Sequence, residues 1–147
     1  MKKKNIFLVL LVAVVFASCD GIRRKNKIAD DAGSQMEMAL KDSTTVQLID
    51  SVYNFGNIKQ GQSVSFNFKF KNTGKKALVV TNASASCGCT VPEKPQRPIM
   101  PGQTSFIKVV FNSTGKSGYQ EKNVTVSANT NPSFPTIKLM GEVQAPQ

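Results

Sequence analysis

From Thr45 onward, apolar and polar residues alternate with a period of two, the spacing at which successive side chains fall on opposite faces of a strand. Ser63 to Lys71 is the clearest stretch, with Val64, Phe66, Phe68 and Phe70 alternating with Ser65, Asn67, Lys69 and Lys71. One face is core and the other is wet. Ser105 to Phe111 sets Ile107, Val109 and Phe111 on one side, and Asn123 to Ser127 alternates Val124 and Val126 with Thr125. Val46–Ile49, Val52–Phe55, Ala77–Thr81 and Thr136–Val143 are shorter runs of the same kind. Turn signals separate them: Asn72-Thr73-Gly74, Pro101-Gly102, Ser113 to Gly118, and Asn129 to Pro135. Short strands at intervals near ten residues predict an all-β, immunoglobulin-like sandwich of about seven strands. A small β-barrel stays open as the alternative, because one sequence does not disclose pairing order.

Residues 1–44 follow a different pattern. Three lysines, Lys2 to Lys4, precede an unbroken apolar run from Ile6 to Phe16, and small Ala17 and Ser18 then lead to Cys19. That order of charged, apolar and small residues is that of a secretory signal over residues 1–18. A run from Ile6 to Phe16 is also about half the roughly 20 residues that a spanning helix needs. The end Phe16-Ala17-Ser18-Cys19 resembles the bacterial lipobox, with Phe16 where Leu is most often found. The resemblance implies cleavage before Cys19 and acylation of that cysteine. Each buried methylene contributes about 0.8 kcal/mol, so several acyl chains would hold the protein on its membrane permanently.

Residues 19–44 then form a polar tether of mixed charge, poor in aromatics, in which Ala32 to Lys41 could form a short helix. As a flexible coil, the 25 residues from Asp20 to Thr44 would span roughly 25 to 30 Å. Asp42-Ser43-Thr44 and Asp50-Ser51-Val52 resemble the Asp-Ser/Thr-X sites of O-glycosylation in some Bacteroidetes, with Ser43 and Ser51 as candidates. Residues 45–147 are left as the single folded domain, in a cell-envelope protein facing the periplasm or the cell surface.

Composition narrows the chemistry. The chain holds 147 residues and no histidine, which removes the base of Ser/His/Asp and Cys/His dyads and the commonest ligand of zinc and non-haem iron. Any metal or redox claim must rest on sulfur. The net charge of +10 is concentrated in the domain: residues 51–147 carry eleven basic groups (Lys59, 69, 71, 75, 76, 94, 108, 116, 122, 138 and Arg97) against Glu93, Glu121 and Glu142. The lysines are scattered rather than interleaved with aromatics, and export argues against nucleic acid, so a soluble basic surface is the plain reading.

The one chemically unusual element is Ser86-Cys87-Gly88-Cys89-Thr90. In a regular strand the two cysteine Cα atoms would lie about 6.5 Å apart, whereas a disulfide wants Cβ atoms within roughly 4.5 Å. Bridging therefore requires the chain to fold back, and Gly88 is the residue that permits it, with Ser86 and Thr90 as the flanking support. Three readings stand side by side. Cys87 and Cys89 form a tight structural disulfide; or they form a redox couple, with Lys94 and Arg97 favouring a thiolate; or they hold Cu(I), with Met100 as a third ligand. No catalytic residue is assigned.

Tyr53-Asn54-Phe55-Gly56-Asn57-Ile58, Gly61, Phe66 to Gly74, Ser86 to Thr90, Pro101-Gly102 and the Phe111 to Gly118 loop together resemble domain-of-unknown-function family 1573, over about residues 46 to 143. The resemblance implies an immunoglobulin-like sandwich akin to the major sperm protein and PapD-like domains, and a setting among Bacteroidetes lipoproteins. It assigns no activity. The function these readings favour is a non-enzymatic, membrane-anchored interaction or spacer module without a cofactor, whose partner is another envelope protein. The competing function is a thiol-based redox or Cu(I)-handling protein.

Overall fold

The computed structural model describes residues 37–145, apart from Ala39. The signal segment 1–18, Cys19 and the tether up to residue 36 lie outside the described residues. Of the helix expected over Ala32 to Lys41, Glu37, Met38, Leu40 and Lys41 are described and are helical. No helix among the described residues is long and apolar enough to cross a membrane.

Eight strands follow: β1 (Val46–Leu48), β2 (Val52–Lys59), β3 (Ser63–Asn72), β4 (Val80–Ala85), β5 (Thr90–Glu93), β6 (Thr104–Asn112), β7 (Gly118–Ala128) and β8 (Ile137–Gln144). They form two four-stranded sheets, ordered β1-β3-β6-β5 and β2-β8-β7-β4. All pairs are antiparallel except β2 with β8. Each sheet keeps its own two edges, so the domain is a sandwich and the barrel alternative falls.

The alternation explains the two layers. Phe68 and Phe70 of β3 and Ile107, Val109 and Phe111 of β6 are fully buried, and they face Val124 of β7 with Ile137, Leu139 and Val143 of β8. Each such side chain contributes roughly 1.5–3 kcal/mol relative to exposure. Their wet neighbours Asn67, Lys69 and Lys71 are exposed. Phe55 reaches the same core from β2 and stacks on Phe111, 5.4 Å between centroids. It does so because β8 carries a glycine beneath it: a Cβ at Gly141 would meet the Phe55 ring and come within 2.7 Å of the Gly56 carbonyl. Gly56 in turn sits at a bulge in β2 with φ of 69°, where its N–H donates to Asn54 Oδ1 at 2.8 Å.

The structure departs from the sequence reading at four strands, the first being β2, which runs on past Phe55 to Lys59. The run Ala77–Thr81 is a strand only from Val80, because Leu78 instead exchanges two backbone hydrogen bonds of 2.8 Å with Ile99, and β4 then continues to Ala85. The proline-rich segment after the cysteines contains β5. Pro92 is tolerated there because β5 is an edge strand. β7 begins at Gly118 rather than Asn123, its first half carrying Gln120 and Lys122 where an inward apolar residue would have announced it.

Asn72, fully buried at the end of β3, ties the loops at this end together. Its Nδ2 donates to the carbonyls of Lys76 and Ile99, both at 2.8 Å, and its Oδ1 accepts from Thr44 Oγ1 at 2.9 Å and from the Gly74 N–H at 3.1 Å. All the polar capacity of this amide is used.

Candidate functional site

The Cys87-Gly88-Cys89 turn joins β4, an edge of one sheet, to β5, an edge of the other. Cys87 and Cys89 are disulfide-bonded, with Cα atoms 5.3 Å apart. The turn is held independently of that bond: Ser86 N–H donates to Asn123 O at 3.1 Å, Asn112 N–H to Cys89 O at 2.9 Å, and Thr90 N–H to Cys87 O at 3.2 Å. Gly88 does not have the role that the sequence suggested. It is not among the glycines with positive φ, and a Cβ there would meet nothing within 4 Å. The fold-back comes from the turn closed by Thr90 onto Cys87.

Of the residues singled out around the cysteines, the structure brings Thr90 to the sulfurs. Thr90 is 4% exposed, and its hydroxyl lies 3.6 Å from Cys87 Sγ and 4.0 Å from Cys89 Sγ. Ser86 and Gly88 lie in the same turn, whereas Met100, Lys94 and Arg97 are elsewhere. Met100 closes the turn to Gln103 that precedes β6, whereas Cys89 pairs with Asn112 at the far end of β6. Nine residues of strand, about 30 Å, separate the two ends, so Met100 does not complete a sulfur site with Cys87 and Cys89. Lys94 follows the last residue of β5, five residues beyond Cys89 and roughly 16 Å along the strand; Arg97 is further on. The positive charges expected beside the thiols are therefore at the other end of β5. Among the described residues no cluster of three or more His, Cys, Asp or Glu could hold a metal ion.

A second feature was not legible in the sequence. β1 is only three residues long and pairs with Phe70, Lys71 and Asn72 of β3. Beyond it, Ile49 and Asp50 donate their N–H groups to Lys69 O at 2.9 and 3.1 Å, and Asp50 Oδ2 accepts the Lys69 N–H at 3.1 Å. Gln62 O accepts from Ser113 and Asn72 N–H donates to Gln103 O, the two residues that flank β6, which fixes the alternation: even-numbered residues of β3 face β6 and odd-numbered ones face the β1 edge. Ser63, Ser65 and Asn67 thus direct their backbone N–H and C=O groups to an edge where no strand pairs with them among the described residues. A shallow pocket lined by Asp50, Ser65, Phe66, Asn67 and Lys69 runs along it. Tyr53 of β2 stacks on Phe66, with ring centroids 4.0 Å apart.

The edge at β5 is blunted by contrast. Cys89 O bonds to β6, so Thr90 and Pro92 face outward; the Thr90 N–H is consumed in the turn and Pro92 has none. β4 leaves Ala83 and Ala85 outward, beside the cysteine turn. On the outer face of the second sheet, the hydrogen bond from Lys138 to Glu121 at 2.8 Å, with the charge of that carboxylate, raises the lysine pKa above its ordinary value.

Solved structures share this fold at low identity. A protein of unknown function from Porphyromonas gingivalis W83 superimposes with a TM-score of 0.59 at 14% identity, over 69% of this chain and 47% of that one. The chain thus spans about half the length of that relative. The seventh PapD-like domain of human CEP192 gives 0.53 at 11% identity, over 71% of this chain and 89% of the domain. The secreted serine protease VesC of Vibrio cholerae also gives 0.53 at 11% identity, over 68% of this chain and 23% of the protease. These likenesses show the fold alone. No curated protein matches the chain. The model of the family described as "Protein of unknown function (DUF1573)" matches residues 46–143, two thirds of the chain and all eight strands but for the last residue of β8, and the chain belongs to that family.

Proposed function

We propose that this chain is a non-enzymatic interaction module, anchored to a bacterial envelope membrane through acylated Cys19, that captures an extended segment of another envelope protein along the open edge of β3. The observation that carries the reading is the run Ser63, Ser65 and Asn67, unpaired among the described residues, beside the Asp50–Phe66–Lys69 pocket. An incoming strand would gain main-chain hydrogen bonds at Ser65 and Asn67 and rest an apolar side chain against Phe66. The basic excess of the domain favours an acidic segment. The signal, Cys19 and the polar tether support the location, with the domain about 25 to 30 Å from the bilayer.

The test is site-specific photo-crosslinking in cells that make the full chain. A photoreactive residue at Ser65 gives a discrete adduct with an envelope protein, and adding Asn67→Pro abolishes it, because proline removes the outward N–H without touching the bonds to β6. The same probe at Thr125, on the outer face of β7, gives none. Adducts at Ser65 that survive Asn67→Pro, or no adduct at Ser65, would overturn the reading. Cys19→Ala is expected to release the protein from the membrane fraction; retention there would refute the anchor.

A further inference from the structure

Apart from any partner of the β3 edge, we infer that Cys87–Cys89 is a reversible thiol–disulfide couple that exchanges electrons with an external dithiol, and that Thr90 is the positioning residue for the thiolate released. Four observations converge. The bond closes a loop of only three residues, so it removes little entropy from the unfolded chain and contributes correspondingly little to the fold. The turn is fastened without it, to Asn123 of β7 through Ser86 and to Asn112 of β6 through Cys89, and of the two cysteines Cys89 alone packs against the core, from its margin as a partly buried residue. Reduction therefore leaves the sandwich standing.

Access is open. Both cysteines are half-exposed, Gly88 between them is exposed, and the space above Gly88 is empty to 4 Å. The fourth observation is the Thr90 hydroxyl. It is buried, and its hydrogen-bonding neighbours are the two sulfurs. A disulfide sulfur is a poor acceptor for a buried hydroxyl, whereas a thiolate is a charged and far better one. The reduced form is thus the state in which Thr90 is well satisfied.

The geometry assigns the order of events. A thiolate of the external dithiol attacks Cys89 Sγ, the electrons of the Cys87–Cys89 bond depart on Cys87 Sγ, and Thr90 Oγ1, nearer to Cys87 at 3.6 Å, donates its hydrogen bond to that leaving thiolate. The second thiol of the donor loses its proton and attacks its own sulfur in the mixed disulfide, and Cys89 leaves as a thiolate. Both cysteine thiolates then take up protons. Two electrons and two protons have passed from the dithiol, now a disulfide, to the Cys87–Cys89 pair, and the reverse sequence returns them.

The test uses the full chain carrying Cys19→Ser, so that the pair supplies the only thiols. It is equilibrated with dithiothreitol as the dithiol and followed by mass after alkylation, with circular dichroism in parallel. Reduction is complete while the β signal and the cooperative melt persist. Thr90→Val then slows reduction at least tenfold near neutral pH, roughly the lower end of what losing a hydrogen bond to a charged sulfur is expected to cost. It also moves the pH profile for alkylation of reduced Cys87 to higher pH, and Thr90→Ser restores both. A pair that resists dithiothreitol until the domain unfolds would overturn the couple. A pH profile unchanged in Thr90→Val would overturn the role of Thr90.

Discussion

Asp50 holds Lys69 by both of that residue's backbone groups: its N–H donates to the Lys69 carbonyl at 3.1 Å, and its carboxylate accepts the Lys69 N–H at 3.1 Å. Pairing along this edge of β3 stops there, as the chain leaves β1 for the other sheet. Asp50→Ala removes the acceptor at an exposed site, so the expected loss is about 1 kcal/mol, measured by urea denaturation, together with faster exchange of the Lys69 amide.

Asn67 and Lys108 lie opposite each other in adjacent strands, yet proline should distinguish them. The Asn67 N–H faces the open edge, whereas alternation places the Lys108 N–H in the ladder to β5. Asn67→Pro is expected to change stability by less than about 1 kcal/mol and Lys108→Pro to cost about 3 kcal/mol. Denaturant midpoints of the two variants check this, and equal losses would mean that the β3 edge is not free.

Asn72 concentrates stability in one buried amide. Asn72→Ala leaves the Lys76 carbonyl and the Thr44 hydroxyl without the amide they bond, and reduces the Ile99 carbonyl to its bond from the Leu78 N–H; the expected cost is about 2–4 kcal/mol in a urea melt.

Gly141 and Phe55 form a packing pair. Gly141→Ala is expected to cost about 1–3 kcal/mol by forcing the Phe55 ring out of the core. A double-mutant cycle with Phe55→Leu should show the two losses to be less than additive.

The cysteine turn should be dispensable to the fold. Gly88→Ala, at ordinary φ and with open space around it, is expected to be neutral in thermal melts. Replacing both Cys87 and Cys89 by Ser should cost no more than about 2 kcal/mol and leave the Ser65 adduct intact while abolishing dithiol exchange.

Much of the sandwich was legible in the alternation. Phe66, Phe68 and Phe70, and Ile107, Val109 and Phe111, each announce a strand because one face is wet and the other is core. β5 escaped because Pro92 reads as a breaker unless the strand is known to be an edge. The first half of β7 escaped because Gln120 and Lys122 occupy its inward positions. The open edge of β3 depends on where β1 stops, and the distance of Met100 from the cysteines depends on the direction of β6; both are matters of pairing order, which local pattern does not encode. Thr90 stood in the sequence beside Cys89, but only the closed turn shows its hydroxyl beneath both sulfurs.

Amide hydrogen exchange along β3, residue by residue, tests the open edge most directly and requires no partner. Ser65 and Asn67 are expected to exchange within about tenfold of an unstructured amide, while Phe66 and Phe68, bonded to β6, are slower by roughly a thousandfold or more. Ser65 and Asn67 protected as strongly as those phenylalanines in the free protein would contradict the account.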